Sequence, residues 1–297
     1  MSKCLTDNNK KYIIPTQKWL QSIEKLITPD SNTAGLVMIA DLIDKEKVIV
    51  KITKNKNKKI LILSMKLNPI YNFVHTYSSF ICTEDYNKIK NEYKNDKTFC
   101  TTNSTDYVTI EVMKKYYGSL SILKYKLSRD QVANILSQIV LSLMEAFYKF
   151  GFVHEDLSLA NILYRIKSTN EIIDYQLTNN DKMRINLNIG HIIPAISDYD
   201  KTQSYKKEIY EKYSIEPMKN LLKGYQNTII LFDSLSKIIQ AILLLINNQN
   251  ERNEIKLQVD NIISSPEYEN YYRWTFTPLK ILNETKIYYI NIYIINV

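Results

Sequence analysis

The feature that most constrains the fold is a long helical pattern that runs directly into a short apolar loop. Between residues 128 and 150, apolar side chains recur at helical spacing and form a broad stripe of the kind that faces a core. Ser128 belongs to the residue types that cap helix N-termini, and Gly151 is the type that most often ends helices. The sequence therefore predicts a buried helix over residues 128–150, after which the loop begins at once.

The loop, residues 152–163, places one carboxylate and one amide in an apolar frame. Asp156 precedes Asn161 by five positions, and most of the residues around them are apolar. A rigidly packed loop of this kind can hold a carboxylate that accepts a hydroxyl proton beside an amide oxygen that ligates a metal. Asp and Asn also favour turns, so the loop alone is equally compatible with an ordinary helix-to-strand connection.

A second acid for a metal ion, Asp198, follows after a region of short strands. Between Asn161 and Asp198 lie 36 residues, in which apolar segments alternate with Asn-rich turns. Alternation of this kind predicts strands. The predicted strands are residues 163–166, 172–177, 183–187 and 192–196.

The first third of the chain predicts a hairpin that would lie over a ligand. Gly35 opens an apolar run, a charged turn follows, and a second apolar run leads to Lys51. The pattern then predicts a helix over residues 56–68 and strands over 72–82 and 107–113, and the charged residues 84–104 predict a surface insertion.

These features together resemble the protein kinase-like superfamily over about residues 30–245. Residues 154–161 are similar to its H-x-D-x-x-x-x-N catalytic loop, and Asp198 falls where the family has D-F-G. Gly35 and Lys51 are similar to the Gly-rich loop and the phosphate-binding lysine. The long segment before Asp198 and the D-Y-x sequence resemble haspin-like kinases and predicted serine/threonine kinases of large DNA viruses.

The resemblance implies an α+β, bilobal protein kinase-like fold. A small antiparallel β-sheet lobe would span residues 1–115, and a larger, mainly helical lobe would span residues 116–297. The larger lobe would carry an enlarged β-hairpin insertion at about 163–196 and a central helix over 228–246. Asp233 of that helix would bond to the backbone of the catalytic loop.

The resemblance also implies a role for each candidate site residue in ATP- and Mg²⁺-dependent phosphoryl transfer. Asp156 would accept the proton of the acceptor hydroxyl, and Asn161 and Asp198 would hold the metal. Lys51 would neutralise the α- and β-phosphates of ATP and so belongs to the catalytic set. The remaining nucleotide contacts would come from Gly35, Val37, Met113, Lys114 and Tyr116. His154 would be structural, either packing near Asp198 or bonding to the backbone there.

Departures from the family pattern leave an alternative open. Active kinases hold the lysine with a helix glutamate, but the predicted helix 56–68 contains no acidic residue. Either a distant acid such as Glu84 substitutes, or Lys51 is held by the nucleotide and Asp198. Other changed positions are Asp30, Asn32, Glu155, Ser158 and Asp200. The expected activity is a serine/threonine protein kinase, and the alternative is a pseudokinase that acts as a nucleotide-binding or regulatory scaffold.

The net charge of the chain indicates the chemical class of its partners only in part. The formal net charge of +8 favours acidic partners, although Lys-rich, Asn-rich chains are also typical of AT-rich genomes. The lysines of residues 201–224 favour either an acidic protein substrate or an ordinary solvated surface. Small-molecule kinases of the aminoglycoside or choline type usually carry acidic acceptor pockets, which this basic segment opposes. No aromatic and basic platform indicates nucleic-acid binding.

The remaining sequence features bear on the cellular compartment of the protein. Three cysteines, Cys4, Cys82 and Cys100, show no C-x-x-C spacing and indicate neither a zinc site nor a disulfide framework. The N-terminus lacks an apolar segment of signal-peptide length, and the most apolar long window, 228–246, is too polar for a membrane span. We therefore expect an intracellular, cytoplasmic protein, in a host cell or virion if the chain is viral.

Overall fold

The computed structural model shows an α+β protein with antiparallel sheets and few helices. The chain divides into two compact units, and the second also includes residues 70–73, which lie within the first part of the chain. The N-terminal unit is residues 1–69 and 74–115, and the C-terminal unit is 70–73 and 116–297. The residues that the structure describes are 5–7, 10–12, 20–27, 35–42, 47–54, 58–83, 107–154, 156–176, 181–199, 203–204, 238–263 and 292–296.

The described part of the N-terminal unit contains a five-stranded antiparallel sheet, a short hairpin of β1 (Leu5–Asp7) and β2 (Lys10–Tyr12), and helix α1 (Lys58–Leu67). The strands of the sheet are β3 (Leu20–Ile27), β4 (Gly35–Leu42), β5 (Lys47–Lys54), β6 (Thr76–Thr83) and β7 (Tyr107–Lys114). Their order across the sheet is β3-β4-β5-β7-β6. Strands β5 and β7 are therefore neighbours, although α1 and β6 lie between them in the chain.

The sheet has one fully buried face because apolar residues alternate along its central strands. In β5, Val48, Val50 and Ile52 are inaccessible to solvent, whereas Ile49 and Lys51 are half-buried. Successive residues of a strand point to opposite faces, so Ile49 and Lys51 share the second face. This alternation confirms the predicted strand that leads to Lys51.

The strand predicted over residues 72–82 was wrong at its start, because β6 begins only at Thr76. Asn68 explains the shift. Its side-chain amide donates to the Thr76 carbonyl at 2.7 Å, and its side-chain oxygen accepts from the Thr76 N–H at 2.8 Å. Both bonds hold the chain in a turn before the strand begins.

The C-terminal unit is built around helix α2 (Arg129–Phe150). Ser128 and Gln131 form a reciprocal capping box at its N-terminus, and Gly151 ends it in the left-handed conformation with φ 63°. Almost every residue from Val132 to Ala146 is buried. The predicted helix is therefore confirmed with both of its caps.

Small antiparallel sheets surround α2 in the described part of the C-terminal unit. Strands β8 (Gly118–Ser119), β10 (Ile162–Ile166) and β13 (Ile192–Ile196) form one sheet in the order β13-β10-β8. Strands β11 (Glu171–Gln176), β12 (Asp181–Leu187) and β15 (Ile292–Asn296) form a second, and β9 (Phe152–Val153) pairs with β14 (Gln203–Ser204). Residues 238–243 are helical, and α3 spans Gln249–Ile263.

The predicted strands between residues 163 and 196 are confirmed as β10 to β13. The buried face of β11 and β12 packs against Leu141 of α2 through Ile173, Tyr175 and Ile185. Strand β15, near the end of the chain, pairs with β12. None of the described helices is long and apolar enough to cross a membrane.

Candidate functional site

The loop that contains Asp156 follows directly after the hydrogen-bonded end of α2 and a buried strand. The N–H of Gly151 donates to the carbonyl of Phe147 at 2.8 Å, which closes the last turn of α2. Phe152 and Val153 follow as β9 and are inaccessible to solvent. Strand β9 is also paired with β14, so the chain enters the loop from a buried strand with its direction set.

Asn161 closes the loop onto Asp156. Its side-chain amide nitrogen donates to the backbone carbonyl of Asp156 at 2.7 Å, and its own N–H donates to the carbonyl of Ser158 at 3.0 Å. Because the nitrogen of the side-chain amide is used inside the loop, the orientation of the amide is fixed. Its oxygen, Oδ1, is then the atom that is suited to ligate a metal.

The same loop is bonded to the segment that carries Asp198. Ser197 donates to the Asn161 carbonyl twice, from its N–H at 2.9 Å and from its hydroxyl at 2.8 Å. Strands β10 and β13 pair immediately beside this point, with Ile162 opposite Ile196. The structure therefore brings Asp156, Asn161 and Asp198 into one hydrogen-bonded region, although Asp198 is distant in sequence.

The backbone turns sharply at Asp198. Its φ of 63° lies in the left-handed region, which residues other than glycine rarely adopt and which Asp tolerates better than most. Tyr199 holds the turn, because its hydroxyl donates to the Ile196 carbonyl at 2.7 Å. The Tyr199 ring is buried against the rings of Phe73 and Phe152, at centroid distances of 6.1 and 6.0 Å.

His154 connects the loop with this turn as a neutral imidazole. Its Nε2 lies 2.8 Å from the Ser197 carbonyl, which can only accept, so Nε2 carries the proton. Burial lowers the pKa of His154, while the bond to Ser197 and the carboxylates of Asp198 and Asp156 act in the opposite direction. The predicted bond between His154 and the backbone near Asp198 is confirmed, and both carboxylates lie close enough to influence one ring.

The donor set suits a hard cation that is bound together with phosphates. In the described ranges, no three His, Cys, Asp or Glu side chains come together as a metal-binding group. Mg²⁺ is commonly bound by one or two carboxylates with phosphate oxygens and water supplying the rest. One carboxylate, Asp198, and the oriented oxygen of Asn161 match that requirement.

A buried amide, Asn72, holds β13 near its end. The Asn72 carbonyl accepts the Ile196 N–H at 2.8 Å, and the Asn72 side-chain nitrogen donates to the Pro194 carbonyl at 2.9 Å. The Asn72 side-chain oxygen accepts from the hydroxyls of Ser142 at 2.8 Å and Tyr175 at 2.5 Å. Asn72 therefore ties α2 and β11 to the strand that leads to Asp198. Sequence reasoning missed it, because only the tertiary contacts identify it.

The second group of predicted residues lies on the N-terminal sheet. Val37 stands opposite Lys51, and Met113 stands opposite Ile49, so these side chains share the less buried face with Gly35. A Cβ on Gly35 would lie 2.8 Å from Thr53 Cγ2 and 2.9 Å from the Ile52 carbonyl. Sheet packing alone therefore requires glycine at this position.

Two of the residues predicted to contact nucleotide, Lys114 and Tyr116, differ in their setting. Lys114 is the last residue of β7, and its N–H donates to the His75 carbonyl at 2.9 Å. That N–H is therefore used inside the sheet. Tyr116 is the first residue of the C-terminal unit after the boundary at residue 115.

One residue that sequence reasoning missed lies directly opposite Lys51. Glu111 of β7 pairs with Lys51 of β5 in the sheet register and is only 3% exposed. The available signal was an acid isolated within the apolar strand 108–113. The signal could not be interpreted without the register, because β5 and β7 are far apart in sequence.

Several predicted features lie outside the described residues. They are Asp30, Asn32, Glu84, the insertion 84–104, Glu155, Asp200, Asp233 and nearly all of the segment 201–224. For the residues that are described, the geometry gives two groups: an acid, an amide and a second acid in the C-terminal unit, and a lysine-bearing sheet face in the N-terminal unit. The sequence matches no known protein-family model and no curated protein.

Proposed function

We propose that this chain is an ATP- and Mg²⁺-dependent phosphotransferase, a serine/threonine protein kinase that transfers the γ-phosphoryl group to a protein hydroxyl. The observation that carries the proposal is the double hydrogen bond from Ser197 to the Asn161 carbonyl. It joins the Asp156 loop to the Asp198 turn. Phosphoryl transfer needs a carboxylate that accepts the hydroxyl proton and oxygen ligands that bind the metal, held at fixed separations. The link between the loop and the turn supplies that rigidity.

Each residue has a defined task in the proposed reaction. Asp156 accepts the proton of the attacking hydroxyl, and Asn161 Oδ1 and the Asp198 carboxylate hold Mg²⁺. The bound metal supplies charge neutralisation for the phosphates. His154, as a neutral donor to Ser197, keeps the turn with Asp198 in place without adding a charge.

The N-terminal sheet face supports the nucleotide part of the proposal. Val37 and Met113 offer apolar surface to a purine ring, and Lys51 offers an ammonium group to phosphates. The acceptor is expected to be a protein, and the net charge of +8 favours an acidic one. The lysine-rich segment that most favours this preference lies outside the described residues.

A pseudokinase is the second candidate, and a specific observation favours it. Helix α1 contains no acidic residue, so the usual helix partner of the lysine is missing. A pseudokinase would keep nucleotide binding and regulate a partner without transferring phosphate. The two candidates therefore differ in transfer and agree in binding.

The experiment combines a metal-dependent thermal shift by ATP with phosphate transfer to generic protein acceptors. A kinase gives both, and Asp156→Asn keeps the thermal shift while transfer falls by roughly 100-fold or more, the usual contribution of a general base. A thermal shift without transfer identifies the pseudokinase. Transfer that persists in Asp156→Asn would show that the base is assigned wrongly, and the absence of any metal-dependent shift would contradict both candidates.

A further inference from the structure

The described sheet positions that adjoin Lys51 on its face are mostly uncharged. Its two cross-strand neighbours are Val37 on β4 and Glu111 on β7. Its same-face neighbours on β5 are Ile49 and Thr53. Among the sheet positions that adjoin Lys51 on this face, including the diagonal ones, Glu111 alone has a charged side chain.

Glu111 is almost completely buried within the sheet. It is 3% exposed, and glutamate is rarely buried to this extent unless it is paired. Its other cross-strand neighbour is Ser79 on β6, a buried residue with a short hydroxyl. Directly opposed residues of an antiparallel pair have Cβ atoms about 5 Å apart, which the side chains of Lys51 and Glu111 can span.

We infer that Glu111 is the acid that holds Lys51, in place of the helix glutamate that the kinase resemblance leads us to expect. The carboxylate of Glu111 attracts the Lys51 ammonium group and keeps the side chain along the sheet face. Glu111 is thus a positioning residue that acts through Lys51. The effect of Glu111 on nucleotide binding rests on the proposed function, whereas its pairing with Lys51 does not.

The location of the pair has a consequence for regulation. Kinases that use a helix glutamate are controlled by moving that helix toward or away from the lysine. Here both charges lie on neighbouring, hydrogen-bonded strands, so the sheet register sets their separation. We therefore expect Lys51 to be held by Glu111 without a movement of α1.

The pairing is tested without nucleotide by a double-mutant cycle in urea. The variants are Lys51→Met, Glu111→Gln and the double variant, and Thr109→Val is the matched control on the same face of β7. We expect the double variant to lose less stability than the sum of the single losses. We expect Thr109→Val to add to Lys51→Met without coupling. Additive losses for Lys51 and Glu111 would overturn the pairing.

The positioning role is tested by the affinity for Mg·ATP in the same variants. Glu111→Gln should weaken binding about tenfold when Lys51 is present, within the range of coupling between neighbouring residues, and should have no effect in the Lys51→Met background. Thr109→Val should leave the affinity unchanged. An equal loss in both backgrounds, or none in either, would overturn the role.

The outcomes also separate this inference from the proposed function. If the wild-type protein binds no Mg·ATP, the proposed function is wrong and the positioning role falls with it, while the urea cycle still decides whether the two residues pair. If the wild-type protein binds Mg·ATP and Glu111→Gln behaves like Thr109→Val, only the inference is wrong.

Discussion

At the residue scale, His154 shows how burial and hydrogen bonding select one protonation state. The imidazole is 1% exposed, and its Nε2 proton is used by Ser197. Protonation of the ring would add a positive charge in a buried place. The carboxylates of Asp156 and Asp198 reduce this cost, but desolvation outweighs them, so the pKa of His154 lies below its ordinary value of 6.5.

This lowered pKa predicts a loss of stability in mild acid. Below pH 6.5 the unfolded chain takes up a proton at this position more readily than the folded protein. The free energy of unfolding therefore falls as the pH decreases from 6.5 toward the lowered value. Urea unfolding between pH 7.5 and 5.5 should show a smaller loss in His154→Gln than in the wild type.

His191 provides the control for this measurement. Burial also lowers its pKa, but it lies in the turn before β13 and is partly exposed. His191→Gln should therefore remove less of the pH dependence than His154→Gln. Equal slopes for the wild type and His154→Gln would contradict the account of His154.

A second residue-scale prediction concerns Gly35. A Cβ at this position would meet the Ile52 carbonyl at 2.9 Å and Thr53 Cγ2 at 2.8 Å, in strands that cannot separate without losing hydrogen bonds. Gly35→Ala should therefore destabilise the protein by about 1–3 kcal/mol, the usual cost of overpacking, as measured by urea unfolding.

Gly118→Ala is the matched control for Gly35→Ala. Its nearest neighbour would be the end of the flexible, half-exposed Ile122 side chain at 3.1 Å, which can move. We expect a smaller loss for this variant. A loss for Gly35→Ala no greater than that for Gly118→Ala would show that β4 and β5 adapt and that the glycine is not required by packing.

At the element scale, Asn72 and Tyr175 connect the strands of the enlarged hairpin region to β13. Tyr175 is fully buried, and its hydroxyl bonds to the side-chain oxygen of Asn72. Tyr175→Phe removes this bond and keeps the ring, so it should cost about 1 kcal/mol of stability and speed hydrogen exchange of the Ile196 amide.

Tyr71→Phe makes the same chemical change one position from Asn72. The Tyr71 hydroxyl bonds to Glu171 and to the cationic groups of Arg165 and Lys167, and no bond joins it to Asn72. This variant should leave exchange at Ile196 unchanged. If both variants speed that exchange equally, the Asn72 contact does not specifically hold β13.

Element bounds that depend on adjacent residues could be predicted from the sequence. Features that depend on contacts between residues distant in the chain could not. Ser128 and Gly151 gave the bounds of α2 because capping depends on adjacent residues. The start of β6 depends on the Asn68 bonds, which the alternation does not reveal. The opposition of Lys51 and Glu111 depends on the register of two strands that are 60 positions apart at these residues, so it required the structure.

At the scale of the whole molecule, the proposed activity depends on residues that come from distant parts of the chain. The sequence predicted Asp156, Asn161 and Asp198 as one site because a family resemblance linked them. The hydrogen bonds of Ser197 and His154 give a physical reason for their proximity. The supporting residues Asn72 and Glu111 were missed, since each becomes recognisable only through its contacts or its place in a sheet.

The most direct test of the central claim is the Mg²⁺ dependence of ATP binding in Asp198→Asn, measured by calorimetry. The loss of the carboxylate should weaken Mg·ATP binding at least about tenfold without weakening metal-free ATP binding, because the amide is a poorer ligand for Mg²⁺ and does not repel the phosphates. Asp174→Asn, an exposed acid on β11 whose carboxylate bonds to Arg184, is the control and should bind as the wild type does. Undiminished Mg·ATP binding by Asp198→Asn would contradict the account.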